Sequence, residues 1–458
     1  MKRKKKEKER EREMGSVSLE ALEGLILETI LSKADAKSAA SVACVSKKLN
    51  SAASDDSLWR RFCSADLDVH SPLGPDETPC PSFKVTYRVW IDSFGMYPLP
   101  LVKRVKKLWG AIRTWMAVNF PEANATLRKG ASEAELKEAE EHLGVKLPTA
   151  TKVLFRFCDG QDTVAHTINE HRRLALLGII GGYEFYDHLV NVHLLPLSHV
   201  IRETRDVGRQ MGFPIRRNNI VVAASYYSEK WFFLNCANGQ LHVGTGRWLS
   251  DGEMMPCVPK ALMRSSPNVS HDLPQDELLL WLEEHCRRLQ SGMIQTRKLR
   301  KSRCISLFPE TPPACSVAVT NGVQVRASAV FVPELSDSSG GGEKYYYTYS
   351  IRLSLLPEGC MLDGMYYSSC QLYSRHWVIR AKDVVVSDVH GEAVIGKFPL
   401  LSPNGEEFIY ESCTPLPEAP GSVEGSFTFV PGRLGKPEAR QFDVKVAPFV
   451  LEAPEYIF

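Results

Sequence analysis

Residues 19–63 read LEALEGLILETILSKADAKSAASVACVSKKLNSAASDDSLWRRFC, a run of three short apolar segments separated by polar turns. Leucine and isoleucine recur at helical spacing from Leu22 to Ile30, which predicts a first helix with a wide apolar stripe. Asp35 is placed to cap a second helix, and the Asp55-Asp56 pair is placed to cap a last one. About 45 residues are too few to bury this surface alone, so we expect the helices to dock into the groove of a partner.

The order of residues in this stretch resembles the F-box. It has an opening leucine, an Ile-Leu pair, a Val-Ser-Lys that starts at Val45, and an Asp-x-x-Leu-Trp-Arg that starts at Asp55. It departs from the family at Glu23, where proline is usual, and at Leu49, where tryptophan is frequent. The resemblance implies contact with a Skp-type linker protein and, through it, with a cullin and RING ligase. The residues implied to make this contact are Leu22, Leu25, Ile26, Ile30, Leu31, Val45, Leu58 and Trp59.

The pattern alone leaves an alternative for residues 19–63, which is a helical hairpin that packs within the chain.

The composition of the whole chain is that of a globular, multidomain protein. The chain has 458 residues, of which 44% are hydrophobic and 24% are charged. A chain of this length usually organises more than one hydrophobic core.

Charge is concentrated at the start of the chain. The formal net charge is +2, whereas residues 1–13 hold eight lysines and arginines against four glutamates. The remainder is therefore close to neutral and offers no basic field for a phosphate backbone, so we expect no nucleic acid partner. Residues 1–18 are predicted to be a basic disordered tail, with a nuclear import signal within Lys2 to Lys6 as the alternative.

Cysteine spacing and hydropathy limit the location and the chemistry of the protein. The twelve cysteines include no Cys-x-x-Cys pair, so the sequence predicts neither a zinc site nor a redox pair, and no metal or cofactor is expected. The basic start is not followed by an apolar run of signal-peptide length, and no stretch is long enough to cross a membrane. We therefore expect an intracellular protein, in the nucleus, the cytoplasm or both.

Residues 64–105 are predicted to form a proline-rich linker followed by a helical extension. The linker composition ends at about Pro81, and a domain boundary is expected there or just after it. The basic residues from Lys103 to Lys107 fit a solvated helix face, with contact to an acidic partner as the alternative.

Residues 106–290 mix helical and strand patterns. Ser132-x-x-Glu135 predicts a capping box, Gly144 predicts a left-handed helix end, and Ile220 to Ala224 has the composition of a strand. The phrase GASEAELKEAEEHLGVKLPTATKVLFRFCDGQ, residues 130–161, resembles the opening of the SUKH superfamily. The resemblance implies a SUKH-like α+β domain that binds proteins and has no catalytic residues.

Residues 291–314 are predicted to be a basic connector, because five lysines and arginines lie close together in it. After it the period changes to two, as in Tyr345 to Leu353, and several short strands predict an all-β sandwich. The segments YYYTYSIRL, QLYSRHWVI, HGEAVIGKFPLLSPNGEEFIYESCTPL and GSVEGSFTFV resemble ApaG proteins. The resemblance implies a fibronectin-III-like sandwich over residues 315–450.

Two clusters in this region are candidate sites. ApaG proteins carry a Gly-x-Gly-x-x-Gly linked to pyrophosphate binding, and here Gly391 and Gly396 stand at its ends with Ala393 in the middle. Both a tight β-turn and anion binding at Gly391 and Gly396 are compatible with the stretch. In Arg375-His376-Trp377, successive strand residues point to opposite faces, so the three side chains do not converge, and no catalytic residue is predicted.

The order of the three modules resembles plant Skp-interacting F-box proteins. This resemblance implies a multidomain, non-catalytic substrate receptor of a Skp-cullin-F-box ubiquitin ligase that recruits a protein target whose identity the sequence does not reveal. Two rival functions are an enzyme or phosphate and nucleotide sensor built on the ApaG sandwich, and a scaffold outside any ligase.

Overall fold

The computed structural model describes residues 19–22, 24–164, 167–210, 218–246, 254–259, 261–262, 277–299, 302–336 and 345–458. The chain divides into two compact units, residues 1–107 and 108–458. The predicted tail, residues 1–18, lies outside the described residues, as does Glu23. Within the described ranges, no helix combines the length and the apolar character that a membrane span needs.

The first unit is helical, as predicted from its apolar periodicity. A 3₁₀ turn precedes its helices, and the boundary between the two units falls inside its last helix. Its elements are the 3₁₀ turn Leu19–Ala21, α1 Gly24–Lys33, α2 Ala36–Ala43, α3 Lys47–Ala53, α4 Asp56–Leu67, α5 Phe83–Phe94 and α6 Leu99–Asn119.

Short polar side chains begin α2 to α5, because the first backbone N–H groups of a helix have no partner within it. Asp35 accepts a hydrogen bond from the Ser38 N–H at 2.6 Å, and Asp55 accepts one from the Ser57 N–H at 2.8 Å. The caps predicted at Asp35 and Asp55 are confirmed. Ser46 caps α3 in the same way.

The core of the first unit lies where α1, α3 and α4 meet. Leu27 and Leu31 of α1 pack there with Leu49 of α3 and with Trp59 of α4. The indole N–H of Trp59 donates to the Ala53 carbonyl at 2.8 Å, so the buried ring has no unsatisfied donor.

The proline-rich stretch 64–82 does not separate two units, which corrects the expected domain boundary there. Helix α5, beyond the prolines, packs back on α4: the rings of Tyr87 and Trp59 lie 5.4 Å apart, and Asp56 accepts a hydrogen bond from the Phe83 N–H at 2.7 Å. The proline content indicated a surface segment. It could not indicate that α5, which follows the prolines, packs on α4.

The basic cluster at the start of α6 also has a structural role. The Lys103 ammonium donates to the Ala65 carbonyl at 3.1 Å, and Lys106 donates to the carbonyls of Leu67 and Asp68. These carbonyls belong to the last turn of α4, where a helix has acceptors without intrahelical partners. Two of the basic residues therefore cap a helix rather than forming only a solvated face.

An eight-stranded sheet organises the first part of the second unit. Its strand order is β6-β5-β4-β3-β2-β1-β8-β7, antiparallel throughout except between β1 and β8. The strands are β1 Gly181–Phe185, β2 His188–Leu194, β3 Asn219–Ser225, β4 Lys230–Asn235, β5 Leu241–Thr245, β6 Met255–Pro256, β7 Gln295–Leu299 and β8 Ser302–Ser306. The accompanying helices are α7 Pro121–Asn124, α8 Glu133–Leu143, α9 Thr149–Phe157, α10 Ile168–Leu174, α11 Leu197–Gln210 and α12 Glu277–Gln290.

The structure confirms both the capping box and the left-handed helix end predicted for this region. Ser132 and Glu135 form the predicted capping box, and Gly144 ends α8 with a φ of 68°. Glu140, on the same helix, is buried and accepts hydrogen bonds from Lys146, Lys152 and the Leu147 N–H. A buried carboxylate is tolerated here because each of these partners offsets the loss of water.

The predicted basic connector, residues 291–314, contains strands β7 and β8 of this sheet, which corrects its description as a connector. The Arg297 side chain in β7 is only 11% exposed, and its guanidinium lies 2.8 Å from Glu310 and 3.3 Å from Glu411. The two glutamates offset the loss of water around this largely covered charge.

The last part of the second unit is the predicted all-β sandwich. One sheet has the order β17-β11-β10-β9, and the other has the order β15-β14-β18, with β20 also paired to β18. The strands are β9 Ser316–Thr320, β10 Val323–Phe331, β11 Tyr345–Leu355, β12 Cys360–Leu362, β13 Met365–Tyr367, β14 Cys370–Ala381, β15 Val384–Glu392, β16 Leu400–Leu401, β17 Phe408–Leu416, β18 Gly421–Arg433, β19 Lys436–Pro437 and β20 Phe442–Leu451.

Aromatic side chains fill the space between the two sheets. Trp377 of β14 contacts Tyr349, Phe427 and Phe449 at ring separations of 5.3 to 6.4 Å, in edge-to-face arrangements. These four aromatic side chains lie on the inner faces of their strands and form part of the interior of the sandwich.

The sandwich and the eight-stranded sheet share buried contacts. The indole N–H of Trp281 in α12 donates to the Ile457 carbonyl at 2.8 Å, and its ring lies 4.9 Å from the ring of Phe458. The Lys230 ammonium, fully buried in β4, donates to the Tyr183 hydroxyl at 2.9 Å and to the Phe458 carbonyl. The residues that follow β20 therefore complete the interior around α12 and β4.

Candidate partner-binding surface

Helix α1 and the turn after α2 expose an unusual amount of apolar surface. Leu25 is 77% exposed and Val45 is 69% exposed, and Ile26 and Ile30 also face solvent. Large aliphatic side chains are usually buried, and a group of them on one small helical unit is typical of an interaction site. We call these four residues the apolar face.

Helix α1 can expose this face because its other side is already used. Leu27 and Leu31 are four residues apart, lie on the same side of the helix, and are buried in the core of the first unit. The Leu22 to Leu31 stripe predicted from sequence is therefore divided into a core side and an exposed side.

The structure corrects the predicted site for Leu31, Leu58 and Trp59. Leu31 is only 2% exposed, and Leu58 and Trp59 are equally inaccessible within the same core. Their side chains hold the helices together and do not lie on the apolar face. The sequence pattern could not separate them from the exposed positions, because buried and exposed apolar residues of these helices are of the same type.

Leu22 lies at the entry to α1 and is half-buried. The backbone around it is held by Lys48, whose ammonium donates to the Glu20 carbonyl at 2.6 Å and to the Leu22 carbonyl at 3.0 Å. This contact joins the start of the unit to α3.

Leu49, where the F-box family often has tryptophan, is buried in the core. This departure from the family therefore changes packing in the core and leaves the apolar face unaltered.

The turn between α1 and α2 is fixed by its cap. The N–H and side chain of Ser38 hold the pKa of Asp35 below its usual range, since they donate hydrogen bonds to the ionised carboxylate. An ionised carboxylate at a helix N-terminus also interacts favourably with the helix dipole. The cap therefore fixes the start of α2, and Val45 lies in the turn after the end of this helix.

In the sandwich, Gly391 to Gly396 forms the tight turn that was one of the two predictions for this stretch. Val394 and Lys397 exchange backbone hydrogen bonds at 3.0 and 2.8 Å, and Gly396 has a φ of 71°. The guanidinium of Arg375 donates to the carbonyls of Glu392 and Ala393 at 2.9 and 2.7 Å. The N–H groups of Val394 and Lys397 and the Arg375 guanidinium thus donate to carbonyls within the turn. Anion binding at Gly391 and Gly396, the other prediction for this stretch, stays a prediction.

Arg375, His376 and Trp377 point to alternate faces of β14, as predicted. Trp377 is buried in the sandwich, while His376 lies on the outer face beside His390 and Asp388 of β15. The sequence did not indicate this outer group, since its members are brought together by strand register rather than by spacing along the chain.

Comparison with known proteins separates the chain into matched parts. An F-box-like family model matches residues 26–65, and an ApaG domain model matches residues 335–431. The first match covers most of the helices that carry the apolar face. The second covers the outer group of β14 and β15.

Two curated relatives match nearly the whole chain, and a third matches its last part. F-box protein SKIP16 of Arabidopsis thaliana is 53% identical over 96% of this chain and 100% of its own length. F-box only protein 3 of Homo sapiens is 26% identical over 90% of this chain and 79% of its own. Protein ApaG of Rhodopseudomonas palustris is 31% identical over 30% of this chain and 93% of its own. The chain therefore belongs to the family of F-box proteins that carry an ApaG domain.

Proposed function

We propose that the protein is a non-catalytic substrate receptor of a Skp-cullin-F-box ubiquitin ligase. The observation that carries this proposal is the apolar face, formed by Leu25, Ile26, Ile30 and Val45 on a helical unit whose core is already complete without them. Burial of these side chains against a partner is favourable, at about 25 cal/mol for each Å² removed from water.

The proposed partner is a Skp-type linker protein with a hydrophobic groove. An amphipathic helix that lays its apolar side into such a groove uses anchors at helical spacing, as Ile26 and Ile30 are. Leu22 lies at the edge of this surface and is expected to contribute less, because it is already half-buried. Through the linker protein the chain would join a cullin and a RING subunit.

The second unit is proposed to hold the target protein. Its middle part, residues 106–290, is proposed to be SUKH-like, and its last part, residues 315–450, to be a fibronectin-III-like sandwich. The receptor would raise the effective concentration of the target near the conjugating enzyme, without chemistry of its own. The protein by itself should therefore transfer no ubiquitin. The two rival functions, an enzymatic sandwich and a scaffold outside a ligase, would not require binding of the linker protein.

The test is recovery of a purified Skp-type protein on the immobilised full-length chain. The double variant Leu25→Asp/Ile30→Asp places two charges on the apolar face and should abolish recovery, because a carboxylate buried without a partner is strongly unfavourable. Both positions are exposed, so the variant should fold as the wild type does, which circular dichroism checks.

A matched control is Met96→Asp, at an apolar residue of the first unit that is 58% exposed and lies outside the apolar face. It should retain wild-type recovery. Equal recovery of the wild type and of Leu25→Asp/Ile30→Asp would sink the adaptor proposal, and both rival functions, the enzyme or sensor and the scaffold, would remain.

A further inference from the structure

The outer face of the sandwich carries two histidines and an aspartate on neighbouring strands. His376 of β14 and His390 of β15 are directly opposite each other in the antiparallel register. Asp388 lies two residues before His390, so its side chain leaves the strand on the same face. The three side chains are accessible from solvent, and β15 is the edge strand of its sheet.

The three side chains converge on one point. Nε2 of His376 lies 2.9 Å from Oδ1 of Asp388, and Nε2 of His390 lies 3.5 Å from the same oxygen. The two imidazole rings are parallel within 6°, with centroids 3.9 Å apart. One donor atom from each residue lies within 4.8 Å of the other two.

These separations fit a shared metal ion. Nitrogen and oxygen ligands bind such an ion at about 2.0–2.2 Å, and two ligands of one tetrahedral ion are then about 3.3–3.6 Å apart. The 3.5 Å separation of His390 from Oδ1 of Asp388 lies in this range. The 2.9 Å separation of His376 from the same oxygen is a hydrogen-bond distance, and it would lengthen by about 0.4 Å on binding an ion. Small rotations of exposed side chains would complete the geometry, because the strands already fix the positions of the three Cα atoms.

The ligand set also selects the class of ion. Imidazole nitrogen suits zinc, nickel and copper, whereas magnesium and calcium take oxygen ligands. We propose that His376, Asp388 and His390 bind one divalent first-row transition metal ion, with water in the open positions. The site lies on the sandwich and is independent of the apolar face of the first unit.

A pair of one histidine and one carboxylate elsewhere provides the contrast. His188 lies 3.3 Å from Glu229 on the eight-stranded sheet, and both side chains are accessible. Of these two groups, the one on β14 and β15 adds a second imidazole directed at the same oxygen. The proposal therefore rests on three converging donors and not on an exposed histidine beside a carboxylate.

The experiment is calorimetric titration of the full-length chain with nickel chloride, with magnesium chloride as the hard-cation comparison. It is done in a Cys44→Ser background, because Cys44 is the exposed thiol among the twelve free cysteines. We expect one equivalent of nickel to bind at this site and magnesium to give no heat. His390→Gln and His376→Gln should each weaken nickel binding by at least about tenfold, since loss of even an outer partner of a metal site has an effect of this size.

His188→Gln is the matched control and should bind nickel as the parent does. Circular dichroism and recovery of the Skp-type protein should be unchanged in all three histidine variants, because the replaced side chains are solvent-accessible. The proposal is overturned if the parent binds no nickel. It is equally overturned if His390→Gln and His376→Gln bind nickel as the parent does.

Discussion

Lys230 and Glu334 form an ion pair inside the protein. Nζ of Lys230 lies 3.7 Å from Oε1 of Glu334, and both side chains are buried. Lys230 belongs to the eight-stranded sheet, and Glu334 follows β10 of the sandwich. Burial lowers the pKa of Lys230, and the nearby carboxylate opposes that change. The pair joins two parts of the second unit that the sequence treated as separate modules.

Lys230→Met should destabilise the second unit by about 3–5 kcal/mol, because it leaves the Glu334 carboxylate buried without a cation. Urea denaturation of the full-length chain measures the change. Lys382→Met is the control, since the Lys382 and Glu418 pair is exposed and should contribute about 0–1 kcal/mol. Equal stability of the two variants would contradict a structural role for the buried pair.

Leu31→Ala should lower the free energy of unfolding by about 2–5 kcal/mol, because it opens a cavity in the core of the first unit. Leu25→Ala, six positions earlier on the same helix, should change it by no more than about 0.5 kcal/mol, because the side chain is exposed. Thermal and urea unfolding compare the two. If Leu25→Ala were the more destabilising variant, the assignment of the two sides of α1 would be wrong.

Glu277 should make stability depend on pH. Burial raises its pKa from 4.5 to about 7, and a hydrogen bond from the Leu241 N–H only partly opposes this. Between these two values the folded state holds a proton that the unfolded state has released, so the free energy of unfolding falls as the pH rises. Glu277→Gln keeps an acceptor for Leu241 and should show a smaller fall.

Urea midpoints measured from pH 4.5 to about 7 test this, because the window is set by the two pKa values. Glu138→Gln, on the exposed side of α8, is the control and should follow the wild type. Parallel curves for Glu277→Gln and the wild type would show that Glu277 does not titrate abnormally.

Gly391→Val should destabilise the second unit by about 1–3 kcal/mol, because a Cβ at this position would lie 2.9 Å from Nη1 of Arg375. Displacement of Arg375 would leave the carbonyls of Glu392 and Ala393 without their donor. Gly435→Val is the control, since its Cβ would meet no atom within 4 Å. Thermal unfolding separates them, and equal melting temperatures would argue against this role of Arg375.

Features that depend on neighbours in the sequence could be predicted from it. The caps at Asp35 and Asp55, the box formed by Ser132 and Glu135, and the alternating strands of the sandwich all follow from local hydrogen bonding or local periodicity. The apolar character of α1 was also evident. Its division into a core side and the apolar face was not, because Leu25 and Leu31 are indistinguishable by residue type.

Features that depend on distant partners could not be predicted. The Arg297 side chain is largely covered where Glu310 and Glu411 meet it, and Glu411 is more than a hundred residues away. The stacking of His376 on His390 depends on the register of two strands that includes a bulge after Ile379. Charged residues in such settings look like solvent-exposed ones until the fold supplies their partners.

The seating of Phe458 against Trp281 restricts how genes for such proteins can change by recombination. Exchange of the chain from the sandwich to Phe458 would replace the ring that covers Trp281 and the carbonyl that accepts from Lys230. Selection is therefore expected to keep residues 108–458 as one inherited block. Across descendants of this chain, substitutions at position 458 should covary with those at position 281.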